Sequence, residues 1–175
     1  MNKQSNSYTI IYIIVLVVVV GAALAFTAMG LKDRQQQNAD ADRMRQILAA
    51  VHITPAPADV VADFGKYITS QAVVNSRGET VGDDAFAVSV AAQVKLPADE
   101  RQLPVFICTL PDGSLKYILP MYGAGLWGPI WGYVALDSDA TTIYGAYFAH
   151  QGETPGLGAE IEKPAFSDQF DGKTI

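Results

Sequence analysis

The chain has 175 residues, with 12 Lys+Arg against 18 Asp+Glu and a net charge of −6. Only Lys3 is charged before Lys32, so the part after Leu31 carries about −7, a balance that repels nucleic acid and anionic lipid. That part, roughly 144 residues, supports one modest core and excludes a second full domain. The lone cysteine, Cys108, excludes an internal disulfide or a cysteine-held metal cluster. Its apolar run, Val105-Phe106-Ile107-Cys108, points to buried packing.

After a short tail (1–7), residues 8–31 are apolar except for Thr9, Gly21, Thr27 and Gly30, and Ile10 to Met29 is long enough to span a hydrocarbon core of about 30 Å. A transmembrane helix is expected, with Tyr8 and Tyr12 at the first interface. Ala23-Leu24-Ala25 satisfies the small-x-small rule for a cleaved leader, but the apolar run continues unbroken past that point, which favours a retained anchor. Lys32, Arg34, Arg43 and Arg45 follow the helix, so the flanking charge taken alone would leave the domain cytoplasmic.

Residues 32–58 form a juxtamembrane helix and linker. Met44, Ile47, Leu48 and Val51 recur at helical spacing and are closed off by Pro55 and Pro57. The remaining domain, 59–175, opens on a second short helix with Val60, Val61, Phe64, Tyr67 and Ile68 on one face. From Gln71 the period changes to two, through Ala72-Val73-Val74, a turn at 75–78, and the alternation Phe86, Val88, Val90. Leu103 to Leu110 and Leu115 to Leu119, joined by Pro111-Asp112-Gly113-Ser114, form the clearest hairpin. Trp131 to Leu136, a turn at 137–140 and Thr141 to His150 form another. A short helix is expected over Pro164 to Phe170. The fold class is α+β: an N-terminal transmembrane helix, then an antiparallel sheet with flanking helices.

Two glycine-bearing stretches stand out. Gly123-Ala124-Gly125-Leu126-Trp127-Gly128 matches the dinucleotide fingerprint in letters, yet Pro129 to Val134 lead into a strand, so no helix N-terminus faces a phosphate. The glycines instead let backbone approach something flat, beside the apolar surfaces of Leu126, Trp127 and Trp131, or they serve only a structural turn. In Glu153-Thr154-Pro155-Gly156-Leu157-Gly158, Pro-Gly sets a tight turn whose N–H groups, with the Thr154 hydroxyl, suit the carbonyl-rich edge of a heterocycle, while Leu157 covers its face. His150 and Glu153 at i, i+3 are two ligands where zinc needs three or four, and no nucleophile triad can be assembled.

Gly30-Leu31-Lys32-Asp33-Arg34-Gln35, the stretch from Leu119-Pro120 to Gly125-Leu126-Trp127, and Gln151-Gly152-Glu153-Thr154-Pro155-Gly156-Leu157-Gly158 together resemble the C subunit of the sodium-translocating NADH:quinone reductases. The resemblance runs from the anchor to the end of the chain. It implies an FMN-binding-type domain in a single-pass subunit of a six-subunit bacterial inner-membrane complex, with the domain on the periplasmic side, against the flanking charge. It also implies an electron relay, not catalytic alone, which passes electrons through FMN while the complex oxidises NADH, reduces quinone and exports Na+. Leu126 and Trp127 would lie near the isoalloxazine, and Glu153, Thr154, Gly156, Leu157 and Gly158 would form the turn that touches it.

In the family, FMN is attached through its phosphate to a threonine of a Ser-Gly-Ala-Thr-type motif by a flavin transferase. The 175 residues contain no such motif. The resemblance therefore implies a domain incomplete at its C-terminus, with apolar surface and sheet edge left open. The other partners implied are the remaining subunits and membrane lipid, with no nucleic acid. Two further readings are open: the equivalent subunit of a ferredoxin-linked Rnf complex, and a cofactor-free, membrane-tethered interaction domain.

Overall fold

The computed structural model describes residues 6–175, which divide into two units, one ending at Asp40 and one spanning 41–175. The expected membrane and juxtamembrane helices are one element, α1 (Asn6–Ala49), because Lys32 to Asn38 is polar without being helix-breaking. Its apolar stretch is exposed, and it is long and apolar enough to cross a membrane.

In the second unit, the last turns of α1 enter the core: Ile47, Leu48 and Val51 are buried, with Met44 packed against them. The helix ends at Ala49, well before Pro55 and Pro57, because His52 turns the chain with φ +59°. His52 N donates to Ala49 O (3.0 Å) and Ile53 N to Leu48 O (3.1 Å), taking up carbonyls that the helix end leaves free. The His52 ring lies edge-on to Tyr144, with Nε2 3.1 Å from Tyr144 O and 3.3 Å from the Asp171 carboxylate. These contacts hold a non-glycine residue in the left-handed region.

Helix α2 (Val60–Tyr67) buries Val60 and Phe64, whereas Val61 is exposed and Ile68 already belongs to β1. One residue advances a helix by about 100°, which rotates Val61 off the Val60 and Phe64 face. Strands β1 (Ile68–Asn75), β2 (Thr80–Gly82), β3 (Gln102–Thr109), β4 (Leu115–Ala124), β5 (Pro129–Leu136) and β6 (Ile143–His150) form one antiparallel sheet in the order β2-β1-β3-β4-β5-β6. Both expected hairpins are present, β3–β4 and β5–β6.

The expected strand through Phe86, Val88 and Val90 is absent. That segment is a loop leading into the one-turn helix α3 (Val90–Gln93). Arg43 of α1 replaces the missing ladder: its guanidinium donates to Phe86 O and Val88 O and lies 4.4 Å over the Phe86 ring. The final expected helix is α4 (Pro164–Ser167), continued by a 3₁₀ turn over Asp168–Phe170, whose Phe166 and Phe170 rings meet Phe148 of β6.

The core lies between the helices and one face of the sheet. Phe106, Cys108, Ile118, Tyr133 and Ala135 meet Ile47, Leu48, Val51 and Phe64, each large apolar side chain adding about 1.5–3 kcal/mol on full burial. Burial pushes the Cys108 thiol up to about 11, against a smaller opposing pull from Lys116, so the thiol is an inert packing group. Leu103, Val105, Leu119, Met121, Val134 and Phe148 line an apolar groove of about 630 Å³ that also touches Phe170 and Ile175.

Candidate functional site

The β4–β5 hairpin is paired through Ala124 and Pro129, where the two strands leave four residues to turn the chain. Gly125 N donates to Gly128 O at 2.8 Å and closes the turn. Leu126 and Trp127 form its tip, 82% and 68% exposed. Their exposure follows from strand geometry, since a two-residue tip has no neighbouring strand to cover it.

Past β6, Gln151 N donates to Pro129 O (3.0 Å), which keeps the outgoing chain beside the start of β5. The chain then folds over Thr154–Leu157, where Leu157 N and Ala159 N both donate to Thr154 O (3.1 and 3.2 Å) and Gly156 takes φ +76°. Proline before a positive-φ glycine is the residue pair such a turn needs. A 3₁₀ turn follows over Gly158–Glu162, and Leu157 projects 73% exposed.

Glu153 joins the two turns. Its Oε1 accepts the Trp127 N–H at 3.0 Å, fixing the backbone of the hairpin tip from a residue far along the chain. Glycine at 125 and 158 makes room for that carboxylate. A Cβ on Gly158 would lie 2.7 Å from Glu153 Oε2. A Cβ on Gly125 would press on Glu153 Oε1 and would lie 2.8 Å from Gly128 O and 2.9 Å from Ile130 Cγ2. A side chain at Gly158 would displace the Glu153 carboxylate, and one at Gly125 would meet the Gly128 backbone as well.

The sheet thus brings together the residues expected to form a pocket: Leu126 and Trp127 on one turn, and Glu153, Thr154, Gly156, Leu157 and Gly158 on the other. Three details differ from the sequence expectation. The Leu157 N–H is spent on Thr154 O inside the turn, so it does not face outward, while the Thr154 side chain is exposed. Glu153 is the latch between the turns, a role invisible in the sequence because Trp127 lies 26 residues away. Trp131 does not share the exposed tip. It is half-buried, and its Nε1 donates to Gln46 Oε1 of α1 at 2.9 Å.

What the arrangement offers is a broad, largely apolar surface at one end of the sheet, with Glu153 as its carboxylate. Beside the hairpin lies a cleft of about 230 Å³, lined by Met121, Tyr122, Gly123, Ile130, Trp131, Gly132, Phe148 and Ile161. A second, of about 300 Å³, is lined by Tyr122 to Gly125, Gly128 and Pro129. Neither lining contains Lys or Arg, so the clefts suit a flat apolar ring better than a phosphate. His150 and Glu153 are joined by a hydrogen bond, Glu153 N to His150 Nδ1 at 3.1 Å. Among the described residues no group of three or more His, Cys, Asp or Glu is placed to hold a metal.

Comparison with known proteins gives one family model and several relatives. Residues 125–174 match the model of the FMN-binding domain family, a span that contains every expected pocket residue. The chain is 31% identical to the C subunit of the Na(+)-translocating NADH-quinone reductase of Vibrio anguillarum over 190 residues, covering 99% of this chain and 74% of that protein. It is 30% identical to the corresponding C subunit from Neisseria meningitidis serogroup B over 191 residues, with the same coverage. The crystal structure of the Na(+)-translocating NADH-quinone reductase C subunit from Parabacteroides distasonis superposes with a TM-score of 0.77 at 48% identity, covering 83% of this chain and 70% of that one. The Shewanella oneidensis NqrC structure, at 24% identity and a TM-score of 0.66, shares the fold.

Proposed function

The chain belongs to the C-subunit family of the Na(+)-translocating NADH-quinone reductases, and on that premise we propose that it is the FMN-carrying electron-relay subunit of such an oxidoreductase. The observation that carries this reading is the Glu153 latch, which draws two glycine turns together and leaves Leu126, Trp127 and Leu157 exposed around them. Large apolar side chains clustered in the open mark a surface that a ligand or partner covers, and family membership favours a flavin ring as that ligand. FMN, when bound, supplies the electron-transfer chemistry, which is why the site needs no acid–base pair of its own.

The residues divide the work by chemistry. Trp127 and Leu126 offer ring-sized apolar surface, Leu157 covers from the second turn, and the exposed Thr154 hydroxyl supplies a donor or acceptor for a polar ring edge. Glu153 fixes Trp127 through its backbone, so the tip is preorganised before any ligand arrives. Basic residues are absent from the cleft linings, so the phosphate gains nothing there, and the 175 residues hold no Ser-Gly-Ala-Thr stretch for covalent attachment. In this reading the contacts at these two turns place the ring, whatever holds the phosphate.

In the same reading the protein works within a six-subunit inner-membrane complex that couples NADH oxidation and quinone reduction to Na+ export, is matured by a flavin transferase, and keeps its domain on the periplasmic side. Family membership supports that side against the flanking charge of α1. A membrane-impermeant maleimide should label Ser76→Cys, in an exposed turn, in intact cells. Protection there, with labelling after lysis, places the domain inside.

The ring site is tested by titrating the full chain in detergent into FMN while following flavin fluorescence. Saturable quenching is expected, with affinity at least tenfold weaker in Trp127→Ala. Unsaturable quenching, equal in both proteins, would remove the flavin from this site and favour an interaction domain.

A further inference from the structure

His150 is the last residue of β6 and is paired with Ile130 of β5, so its backbone is fixed by the sheet. Its side chain is only 14% exposed, lying under the loop that carries the second turn. The ring meets that loop at both of its feet. At the near foot Nδ1 accepts the N–H of Glu153 at 3.1 Å. At the far foot Nε2 lies 3.7 Å from Glu162 Oε1, and the same oxygen accepts the backbone N–H of His150 at 3.3 Å.

An imidazole nitrogen that accepts a hydrogen bond carries no proton, so the proton of the neutral ring sits on Nε2, facing the Glu162 carboxylate. One planar group therefore satisfies a backbone donor on one side and points its own donor at a carboxylate on the other. The consequence is directional. The Glu153 amide is held at the point from which its side chain must reach back to Trp127 N, across the space that Gly125 and Gly158 leave open. Movement of that amide moves the carboxylate, and with it the hairpin tip.

We propose that His150 is the positioning residue of the flavin site: by accepting the Glu153 N–H through Nδ1 it sets the Glu153 latch, and so the spacing of the Trp127 and Leu157 turns. The inference rests on the FMN reading for its ligand but not for its geometry. His150 does not touch the ring; it acts through Glu153. Its contribution is specific to the Nδ1 position, which separates it from simple filling of space under the loop.

The decisive comparison is between His150→Asn and His150→Gln in the full chain. An asparagine carbonyl reaches the place of Nδ1 and restores an acceptor for the Glu153 N–H; a glutamine amide reaches the place of Nε2 and does not. His150→Leu removes both. Two readouts are taken: hydrogen exchange of the 151–158 segment in the absence of flavin, and FMN affinity by quenching of flavin fluorescence. In wild type and Asn the segment should exchange slowly, with affinities within about threefold of each other. In Gln and Leu it should exchange faster, with FMN binding weakened about tenfold, while the β3 and β4 amides stay protected.

Equal behaviour of Asn and Gln overturns the proposal, as does a Gln variant that loses FMN without faster exchange. If Leu fails to fold, the Asn and Gln pair still decides. If wild type binds no FMN, the functional reading fails, and the exchange difference alone confirms or refutes the His150 link.

Discussion

Strand β4 is bounded by two turns of opposite character. At its start, 111–114 holds itself together: Asp112 Oδ1 accepts Ser114 N at 2.9 Å, Leu110 N donates to Ser114 O at 2.9 Å, and Gly113 takes φ +81°. At its end, the 125–128 turn has one backbone bond of its own and borrows its second constraint from Glu153, 26 residues from Trp127. The first turn is polar and closed by its own backbone bonds; the second presents Leu126 and Trp127 to the outside. A turn that needs only to reverse the chain is satisfied locally. A turn held from far along the chain, with its apolar groups outward, is built to present a surface.

That contrast is broken most sharply at the glycines. Gly113 has open space around its Cβ position, so Gly113→Ala should cost only the backbone penalty of a positive φ, about 1 kcal/mol. Gly125→Ala places a methyl against Glu153 Oε1, Gly128 O and Ile130, so the latch must open or the hairpin must shift. Overpacking of this kind costs about 1–3 kcal/mol. More tellingly, Gly125→Ala should abolish measurable FMN quenching, whereas Gly113→Ala should leave it unchanged. Thermal unfolding followed by circular dichroism gives the stability arm. Equal loss of flavin binding in both variants would erase the distinction between the two turns.

The same contrast explains what could be read from the sequence. Asp112-Gly113 and the alternation on either side of it are local signals, so the β3–β4 hairpin and its turn are legible in a few residues. The two turns are legible as turns through their glycines and proline, but the contact that joins them is not. The Glu153–Trp127 bond depends on the β5–β6 register, which brings His150 beside Ile130, and register is not written in either segment alone. The misread strand at Phe86, Val88 and Val90 has the converse cause: a true alternation of apolar residues is taken up by a loop whose carbonyls bind Arg43, another long-range partner. The stripe on α1 is legible, but its end is not, because the chain turns at His52 only through contacts with Tyr144 and Asp171.

The smallest expected effect lies at the turn between β5 and β6, whose own bonds centre on Asp139 while Thr141 O also accepts the N–H of Ile175 at 3.0 Å. Asp139 accepts the Thr142 hydroxyl at 2.6 Å and the N–H groups of Thr142 and Thr141, each at 2.9 Å. The Thr142 hydroxyl is the largest of the influences that hold the carboxyl well below its usual value of 3.8. A folded value below the unfolded one means the ionised form is favoured in the folded state. Its contribution is therefore fully present above the ordinary carboxylate range and is lost as the pH falls through the folded value. Asp112 shifts in the same direction, mainly through the Ser114 N–H, so the two turns share one acid limb. Both groups are open to solvent, so the effect is modest and weakens further in salt. Asp139→Asn keeps an acceptor but no titration. Its thermal midpoint should fall less steeply than that of wild type from about pH 4 downward, with FMN quenching at neutral pH unaltered. A slope identical to wild type would assign the acid sensitivity to other carboxylates. A loss of FMN binding would show that this turn, too, bears on the proposed ring site.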